Sequence, residues 1–240
     1  MKLRQLVPWP SVEIDADTLD GRETLSGLYA APQRRWLRIN LVASVNGQAA
    51  GADGTSESLT NRVDRRILGI LRRLADIVLV GAASVRTEGY FLPKSAPLAI
   101  VTRSGDLSGH RIPRDVPAGK VIVLCPSASA ATVRATLGIE NAAIIELETA
   151  SGRASVNLAE ATHSLRALGH EGIVCEGGPN LASQLLNAGL VDELCLSTSP
   201  QVSATDTRVL PGLAANLPLR LEHLLSDSEG YLFARWAVLS

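Results

Sequence analysis

The chain has 240 residues, of which 46% are hydrophobic and 20% are charged, and its formal net charge is -1. This length and composition allow a sizeable buried core, and the charge balance gives no global basic field for nucleic acid. The N-terminus has no apolar segment of signal-peptide length, and no apolar run is long enough to span a membrane. We therefore expect a cytoplasmic protein that binds neither nucleic acid nor membranes.

The predicted elements alternate between strands and helices. Residues 1–35, acidic and interrupted by prolines, are expected to form an arm or short helix without chemistry, and residues 36–240 to form one domain. Thr60 is the predicted N-cap of an arginine-rich helix, and Asn157 with Glu160 matches a capping box. Strands are predicted over residues 36–44, 77–81, 98–101, 121–125, 143–147, 173–175, 192–198, 219–225 and 231–239. This order predicts an α/β domain whose mainly parallel sheet is flanked by helices and has an antiparallel C-terminal edge.

Three predicted strand ends carry groups that suit phosphate. Gly81 with Ser84, and Gly177 with Gly178, each stand between a buried strand and the start of a helix. Backbone N–H groups at such junctions can bind phosphate. Residues 102–104 (Thr-Arg-Ser) offer a guanidinium and two hydroxyls, which suit a ribose 2′-phosphate. The combination indicates NADP. Each segment alone is equally consistent with an ordinary turn: one that needs glycine only for its geometry at the two glycine junctions, or a charged turn at residues 102–104.

Motifs for other chemistries are missing. The four histidines show no metal-ligand spacing with one another or with a cysteine, so no metal site is expected. The three cysteines lie far apart in apolar runs, which favours buried, reduced thiols. The hydrolase, P-loop and Rossmann glycine motifs are also absent.

Several segments occur in the order found in a known enzyme family. They are residues 44–47 (Ser-Val-Asn-Gly), 54–60 (Gly-Thr-Ser-Glu-Ser-Leu-Thr), the helix through Arg72, residues 80–86 (Val-Gly-Ala-Ala-Ser-Val-Arg) and residues 176–181 (Glu-Gly-Gly-Pro-Asn-Leu). On these segments, residues 36–240 resemble the pyrimidine reductases of riboflavin biosynthesis, the reductase half of the bifunctional deaminase–reductase. The resemblance implies a dihydrofolate-reductase-like fold and a reductase domain over residues 36–240.

The resemblance also implies a reaction and a set of site residues. The reaction is the NADPH-dependent reduction of a phosphorylated pyrimidine-type substrate, with hydride delivered to the sugar carbon of a ring-opened imine. Ser44, Ser56, Arg72 and Glu176 would contact the substrate, with Arg72 suited to its phosphate, and Asn46 and Glu176 would lie beside the reactive ring as catalytic residues. The implied cofactor-binding residues are Gly81, Ala83, Ser84, Val85, Glu88, Thr102, Arg103, Ser104, Gly177, Gly178, Pro179, Asn180 and Leu181. A homodimer is implied as well, with the terminal hairpin as a possible surface.

Two departures from the family pattern lie on the substrate side. The usual aspartate of the first loop is Asn46 here, and an amide cannot exchange a proton as a carboxyl does, so that role is lost or passes to Asp53 or Glu176. The usual Ala-Asp-Asp/Asn-Pro continuation is replaced by residues 87–90 (Thr-Glu-Gly-Tyr). Two alternatives therefore remain. One is the same fold and cofactor with another carbonyl, imine or pterin-like substrate, and the other is a non-catalytic NADPH sensor.

Overall fold

The structure, a computed structural model, describes residues 1–90, 92–148 and 156–239. Its strands are β1 (Lys2–Val7), β2 (Val12–Asp15), β3 (Trp36–Ser44), β4 (Ile77–Gly81), β5 (Leu98–Val101), β6 (Val121–Pro126), β7 (Ala143–Leu147), β8 (Gly172–Cys175), β9 (Glu193–Ser199), β10 (Leu219–Asp227) and β11 (Leu232–Val238). Its helices are α1 (Leu19–Leu28), α2 (Arg62–Leu74), α3 (Ala82–Thr87), α4 (Ala130–Leu137), α5 (Leu158–Ala167) and α6 (Pro179–Asn187).

In the described part of the chain, these strands form one sheet in the order β2-β1-β10-β11-β9-β3-β8-β4-β5-β6-β7. The run from β9 to β7 is parallel, and β2, β1, β10 and β11 pair antiparallel on the other side. The predicted fold class is therefore confirmed, including the antiparallel C-terminal strands.

Helices cover both faces of the parallel half. In β4, Val78 and Val80 pack in one core cluster with α2 and α4, while Ile77 and Leu79 pack in a second cluster with α5 and α6. This alternation follows from strand geometry, because successive side chains point to opposite faces. Buried on both faces, the strand reads as a continuous apolar run, which is why its bounds could be predicted.

Strand β8 has four residues whereas its neighbour β3 has nine, and this difference in length creates an opening in the sheet. The last residue of β8, Cys175, pairs with Ile39 of β3 and Leu79 of β4. Strand β3 continues to Ser44, so its carboxyl half has no parallel neighbour on that side. Chemistry at the ends of parallel strands is expected at such an interruption.

Residues 1–35 are part of the sheet rather than an arm beside it. Strand β1 pairs with β10, and β2 with β1. Arg38 and Arg235 both pair with the buried carboxylate of Glu193, at 2.5 and 2.7 Å, and donate to backbone carbonyls at the end of α1. The expected short helix is present as α1, but the two strands were missed because they are short and the turn between them contains Pro8 and Pro10.

Two helix caps test the sequence predictions. Asn61, and not Thr60, caps α2, since its side-chain oxygen accepts hydrogen bonds from the backbone of Val63 and Asp64, both at 3.0 Å. Thr60 instead closes the preceding 3-10 turn. Asn157 caps α5 as predicted, by accepting from the Glu160 N–H at 3.2 Å. The Glu160 carboxylate accepts from Glu148 instead, so only half of the capping box forms.

All three cysteines are buried and free, as predicted. Among the described residues, no helix has the length and apolarity needed to cross a membrane.

Candidate active site

The carboxyl ends of β8, β4 and β5 lie side by side. Glu176 directly follows β8, Gly81 ends β4, and Thr102 follows β5. The Gly81 N–H donates to the Gly177 carbonyl at 2.9 Å, which joins two of these ends. The structure therefore brings together the segments that the sequence marked separately.

A cleft of about 620 Å³ opens beside the carboxyl half of β3. We call it the arginine cleft, because Arg65, Arg72 and Arg111 are among the residues that line it. Its floor includes Asn40, Leu41 and Val42, which the short β8 leaves uncovered. Its walls include Ser56, Asp64, Tyr90 and Glu176.

Glu176 is held in this cleft by two partners. Arg72 donates to both of its carboxylate oxygens, at 2.7 and 2.6 Å, and the Tyr90 hydroxyl donates to one of them. Arg72 also donates to the Tyr90 oxygen at 2.9 Å, and its guanidinium lies 5.5 Å from the ring centroid. Burial raises the pKa of Tyr90 well above its usual value, and the Glu176 charge adds to this effect, so the phenol stays protonated. The family resemblance implied that Arg72 binds the substrate phosphate, but in the structure its guanidinium donates to Glu176.

A second cleft, of about 550 Å³, lies across the ends of β4 and β5. We call it the glycine cleft, because small residues around Gly81 and Gly178 form much of its wall. Twelve of the thirteen predicted cofactor residues line it or adjoin it. Those that line it are Gly81, Ala83, Ser84, Glu88, Thr102, Arg103, Ser104, Gly178, Pro179, Asn180 and Leu181. Gly177 lines the arginine cleft next door.

The first turn of α6 presents a backbone donor to the glycine cleft. Within the described residues, no side chain caps α6, whereas Thr18, Asn61 and Asn157 cap α1, α2 and α5. Helices α3 and α4 also lack a side-chain cap. Pro179 has no N–H and the Leu181 N–H bonds the Gly178 carbonyl at 3.0 Å, so the Asn180 N–H is the donor of this turn that is open to an anion.

Two glycines set the shape of this wall. A Cβ on Gly178 would come within 2.9 Å of the Ser84 hydroxyl, so glycine permits the close approach of α6 to α3. At Gly81 the φ angle is -82°, and a Cβ would meet no atom nearer than 3.7 Å. The protein's own packing therefore does not require glycine at position 81, which leaves room for a ligand against the backbone.

The turn of residues 102–104 has its donors available. The Thr102 hydroxyl accepts from the Gly105 N–H at 3.0 Å, and the Ser104 hydroxyl accepts from the Asp106 N–H at 3.2 Å. Each hydroxyl keeps its own proton to donate. The Arg103 side chain is exposed, and no carboxylate in the described part of the chain pairs with it. This group set fits a phosphate monoester.

The two clefts share a wall. Ser56 and Glu88 line both, and the Ser56 hydroxyl donates to the Glu88 carboxylate at 2.9 Å. Desolvation raises the pKa of Glu88, against the opposing effect of the Ser56 hydrogen bond. Two ligands bound in the two clefts would meet at this wall.

Three predicted site residues line neither cleft. Both ends of the Asn46 amide are bound within the protein, because Oδ1 accepts from the Ser44 hydroxyl and the Ser203 N–H while Nδ2 donates to the Ser203 carbonyl. Ser44 is buried, and its hydroxyl also accepts from the Gln48 N–H. Val85 is fully buried in the core. The structure therefore gives Asn46 and Ser44 the role of a loop clamp and Val85 a role in packing.

Sequence reasoning missed three residues of the arginine cleft. Tyr90 was seen only as a departure from a family pattern, and Asp64 and Arg111 were not singled out. Asp64 could have been found from helical spacing, because it lies on α2 two turns before Arg72 and is buried. No local signal marks Arg111, which follows a loop between β5 and β6.

Comparison with known proteins places the chain in a family. The family model described as the RibD C-terminal domain matches residues 35–233. A riboflavin biosynthesis protein RibD from Corynebacterium ammoniagenes is 27% identical over 178 residues, 74% of this chain and 47% of that protein. A 2,5-diamino-6-ribosylamino-4(3H)-pyrimidinone 5′-phosphate reductase from Methanothermobacter thermautotrophicus is 27% identical over 192 residues, 74% of this chain and 83% of that protein. The chain thus spans about half the length of the RibD relative.

Solved structures agree on the fold. A pyrimidine reductase-like protein from Corynebacterium diphtheriae has a TM-score of 0.77 at 24% identity, over 90% of this chain and 99% of that chain. A riboflavin biosynthesis reductase from Saccharomyces cerevisiae has a TM-score of 0.68 at 13% identity, over 91% of this chain and 99% of that one. At these identities the similar structures show only the fold. The family match covers most of the sequence and therefore shows the family. The chain belongs to the RibD C-terminal domain family.

Proposed function

We propose that this protein is an NADPH-dependent reductase of 5-amino-6-(5-phosphoribosylamino)uracil or a close relative of that compound. One observation carries the proposal: a cleft with open hydroxyl, guanidinium and backbone donors and a cleft with a fixed carboxylate meet at Ser56 and Glu88. Hydride transfer requires two ligands held face to face with water excluded. A shared wall between two clefts suits that requirement.

The glycine cleft supports the cofactor half of the proposal. The first turn of α6 would face the pyrophosphate, and Arg103 with the hydroxyls of Thr102 and Ser104 would hold the 2′-phosphate. Gly81 leaves the backbone open to a ligand, as its unhindered Cβ position indicates. When bound there, NADPH supplies the hydride.

The arginine cleft supports the substrate half. Arg72 and Tyr90 fix the Glu176 carboxylate, which can then accept hydrogen bonds from the pyrimidine or the ribose. Arg72 is thus a positioning residue, and Ser56 a substrate contact at the junction. Reduction of the imine adds hydride to the sugar carbon and a proton to the nitrogen, and the Glu88 carboxyl lies at the wall that both clefts share.

The proposal includes a homodimer. Strands β10 and β11 are flanked by β1 and β9, so the terminal hairpin offers a partner its face and not a free edge. Light scattering on the purified protein tests this part, with a mass near that of two chains expected.

The decisive experiment is oxidation of NADPH in the presence of the phosphoribosylaminouracil, compared with a panel of carbonyls and pterins. We expect turnover with the aminouracil and little with the panel. A second candidate, reduction of a different carbonyl or imine, is favoured by the Tyr90 ring in the cleft, and turnover with a panel member alone would select it. Tight NADPH binding without turnover of any acceptor would favour a sensor. No heat on titration with NADPH would refute the cofactor assignment.

A further inference from the structure

Of the three arginines that line the arginine cleft, two are already paired. Arg65 pairs with Glu57, and Arg72 with Glu176. No carboxylate in the described ranges pairs with Arg111. Arg111 is therefore the guanidinium in this cleft that is open to a ligand.

The loop that carries Arg111 is fixed on both sides. The His110 ring is 2.6 Å from the Leu137 carbonyl through Nε2, and its Nδ1 accepts from the Ile112 N–H at 3.1 Å. Ile112 itself is buried, with 4% of its surface exposed. A fixed backbone reduces the conformational entropy that the side chain loses when it binds a ligand.

The Arg111 side chain packs against Gly89. Gly89 has a φ of +59°, and a Cβ there would lie 3.0 Å from both Cδ and Nη1 of Arg111. Glycine thus allows the arginine to lie against the backbone beside Glu88 and Tyr90. Arg111 lines the arginine cleft but is absent from the lining of the glycine cleft, so it faces the substrate side.

The charge of the cleft makes this arginine necessary for an anionic ligand. Its lining includes five carboxylates (Asp53, Glu57, Asp64, Glu88 and Glu176) against three guanidiniums. A phosphate monoester carries about -1.5 to -2 charges at neutral pH. Without a free cation, such a group would meet net repulsion here.

We propose that Arg111 binds the phosphate ester of the substrate in the arginine cleft. The inference rests on the proposed function for the identity of the substrate. Arg111 takes the place of Arg72, the residue that the sequence suggested for this role. A planar guanidinium can donate two parallel hydrogen bonds to phosphate, which gives both affinity and orientation.

Binding of ribose 5-phosphate and of ribose, measured by calorimetry, tests the proposal without requiring turnover. Arg111→Met keeps the aliphatic contact with Gly89 and removes the charge. Arg114→Met is the matched control, because Arg114 is an exposed arginine three residues away that lines neither cleft. Wild type and the control should prefer ribose 5-phosphate, and Arg111→Met should lose roughly 10- to 100-fold of that preference. Arg111→Lys should restore part of it.

Two results would overturn the role of Arg111. One is a preference for ribose 5-phosphate that Arg111→Met leaves intact, and the other is the absence of any such preference in the wild type. The proposed function has a separate readout, since NADPH oxidation with the aminouracil can fail while the phosphate preference and its dependence on Arg111 remain.

Discussion

The glycine cleft and the arginine cleft share a wall, yet they are built from different kinds of groups. In the glycine cleft, backbone N–H groups, glycines and the short turn of residues 102–104 supply the binding groups. In the arginine cleft, long side chains from α2, the end of β8 and the loop after α3 satisfy one another. The first cleft leaves Arg103 and hydroxyl donors open, whereas the second has four of its eight charged side chains in two internal ion pairs. We therefore expect an anion to be bound by several open groups in the first cleft and by few in the second.

The largest effect is expected from Glu176→Gln. Glu176 is 4% exposed and accepts from both Arg72 and Tyr90, so the amide would leave the guanidinium without its counter-charge. We expect kcat/KM for the aminouracil to fall by about 100-fold or more, with NADPH affinity changed by less than about 2-fold. Steady-state kinetics and NADPH titration measure the two quantities. Glu140→Gln, at an exposed carboxylate outside both clefts, should change neither. Equal losses in turnover and NADPH affinity would show that the two clefts do not act separately.

Arg103→Ala tests the other cleft. The substitution removes the charged group from the 2′-phosphate position, so NADPH affinity should fall by about 10- to 100-fold while NADH affinity changes little. Titration of both cofactors gives the ratio, and Arg114→Ala is the control. A parallel loss for NADPH and NADH would assign Arg103 to another part of the cofactor.

The same contrast explains how much the sequence could predict. Strands β3, β4, β5 and β7 were predicted to the residue, because each is an apolar, β-branched run with clear ends. The glycine cleft was predicted as well, since its groups are contiguous in sequence at strand ends. In the arginine cleft, Ser56, Arg72 and Glu176 were predicted, whereas Arg111 carries no local signal and Tyr90 is 86 residues from its partner Glu176. The hydrogen bonds that hold Asn46 could not be predicted either, because its partner Ser203 is 157 residues away. The catalytic role of Asn46 stays a prediction.

A smaller effect is expected from Tyr90→Phe. The ring and its contact with Arg72 are retained, and only the hydroxyl that donates to Glu176 is removed. Since Arg72 still holds both carboxylate oxygens, kcat/KM for the aminouracil should fall by roughly 3- to 10-fold, which corresponds to the loss of one hydrogen bond worth about 1 kcal/mol. Steady-state kinetics measure the loss, and a double-mutant cycle with Glu176→Gln measures the coupling. If Tyr90→Phe costs as much in the Glu176→Gln variant as in the wild type, the phenol acts independently of the carboxylate.

The smallest effect is expected from Asp64→Asn, which changes one of the five carboxylates of the arginine cleft and is measured as a change in stability with pH. Burial raises the pKa of Asp64 from its usual 3.8, and a hydrogen bond with Ser197 opposes the rise. A raised pKa in the folded state means that the folded protein holds this proton more tightly than the unfolded chain. Its contribution to stability is therefore complete below the usual pKa and is lost as the pH rises through the folded value.

Asp64→Asn removes this titration and keeps the size of the side chain. Relative to wild type, the variant should therefore gain stability as the pH rises from below 3.8 through the raised pKa of Asp64. The gain is limited because Asp64 also lies in the first turn of α2, where a negative charge is favourable. Urea unfolding at several pH values measures the difference, and Asp20→Asn, at an exposed acid in the first turn of α1, is the control. A difference that is constant with pH would mean that Asp64 keeps its ordinary pKa. The ionised Asp64 would then repel an anionic ligand, and binding of that ligand would depend more strongly on Arg111.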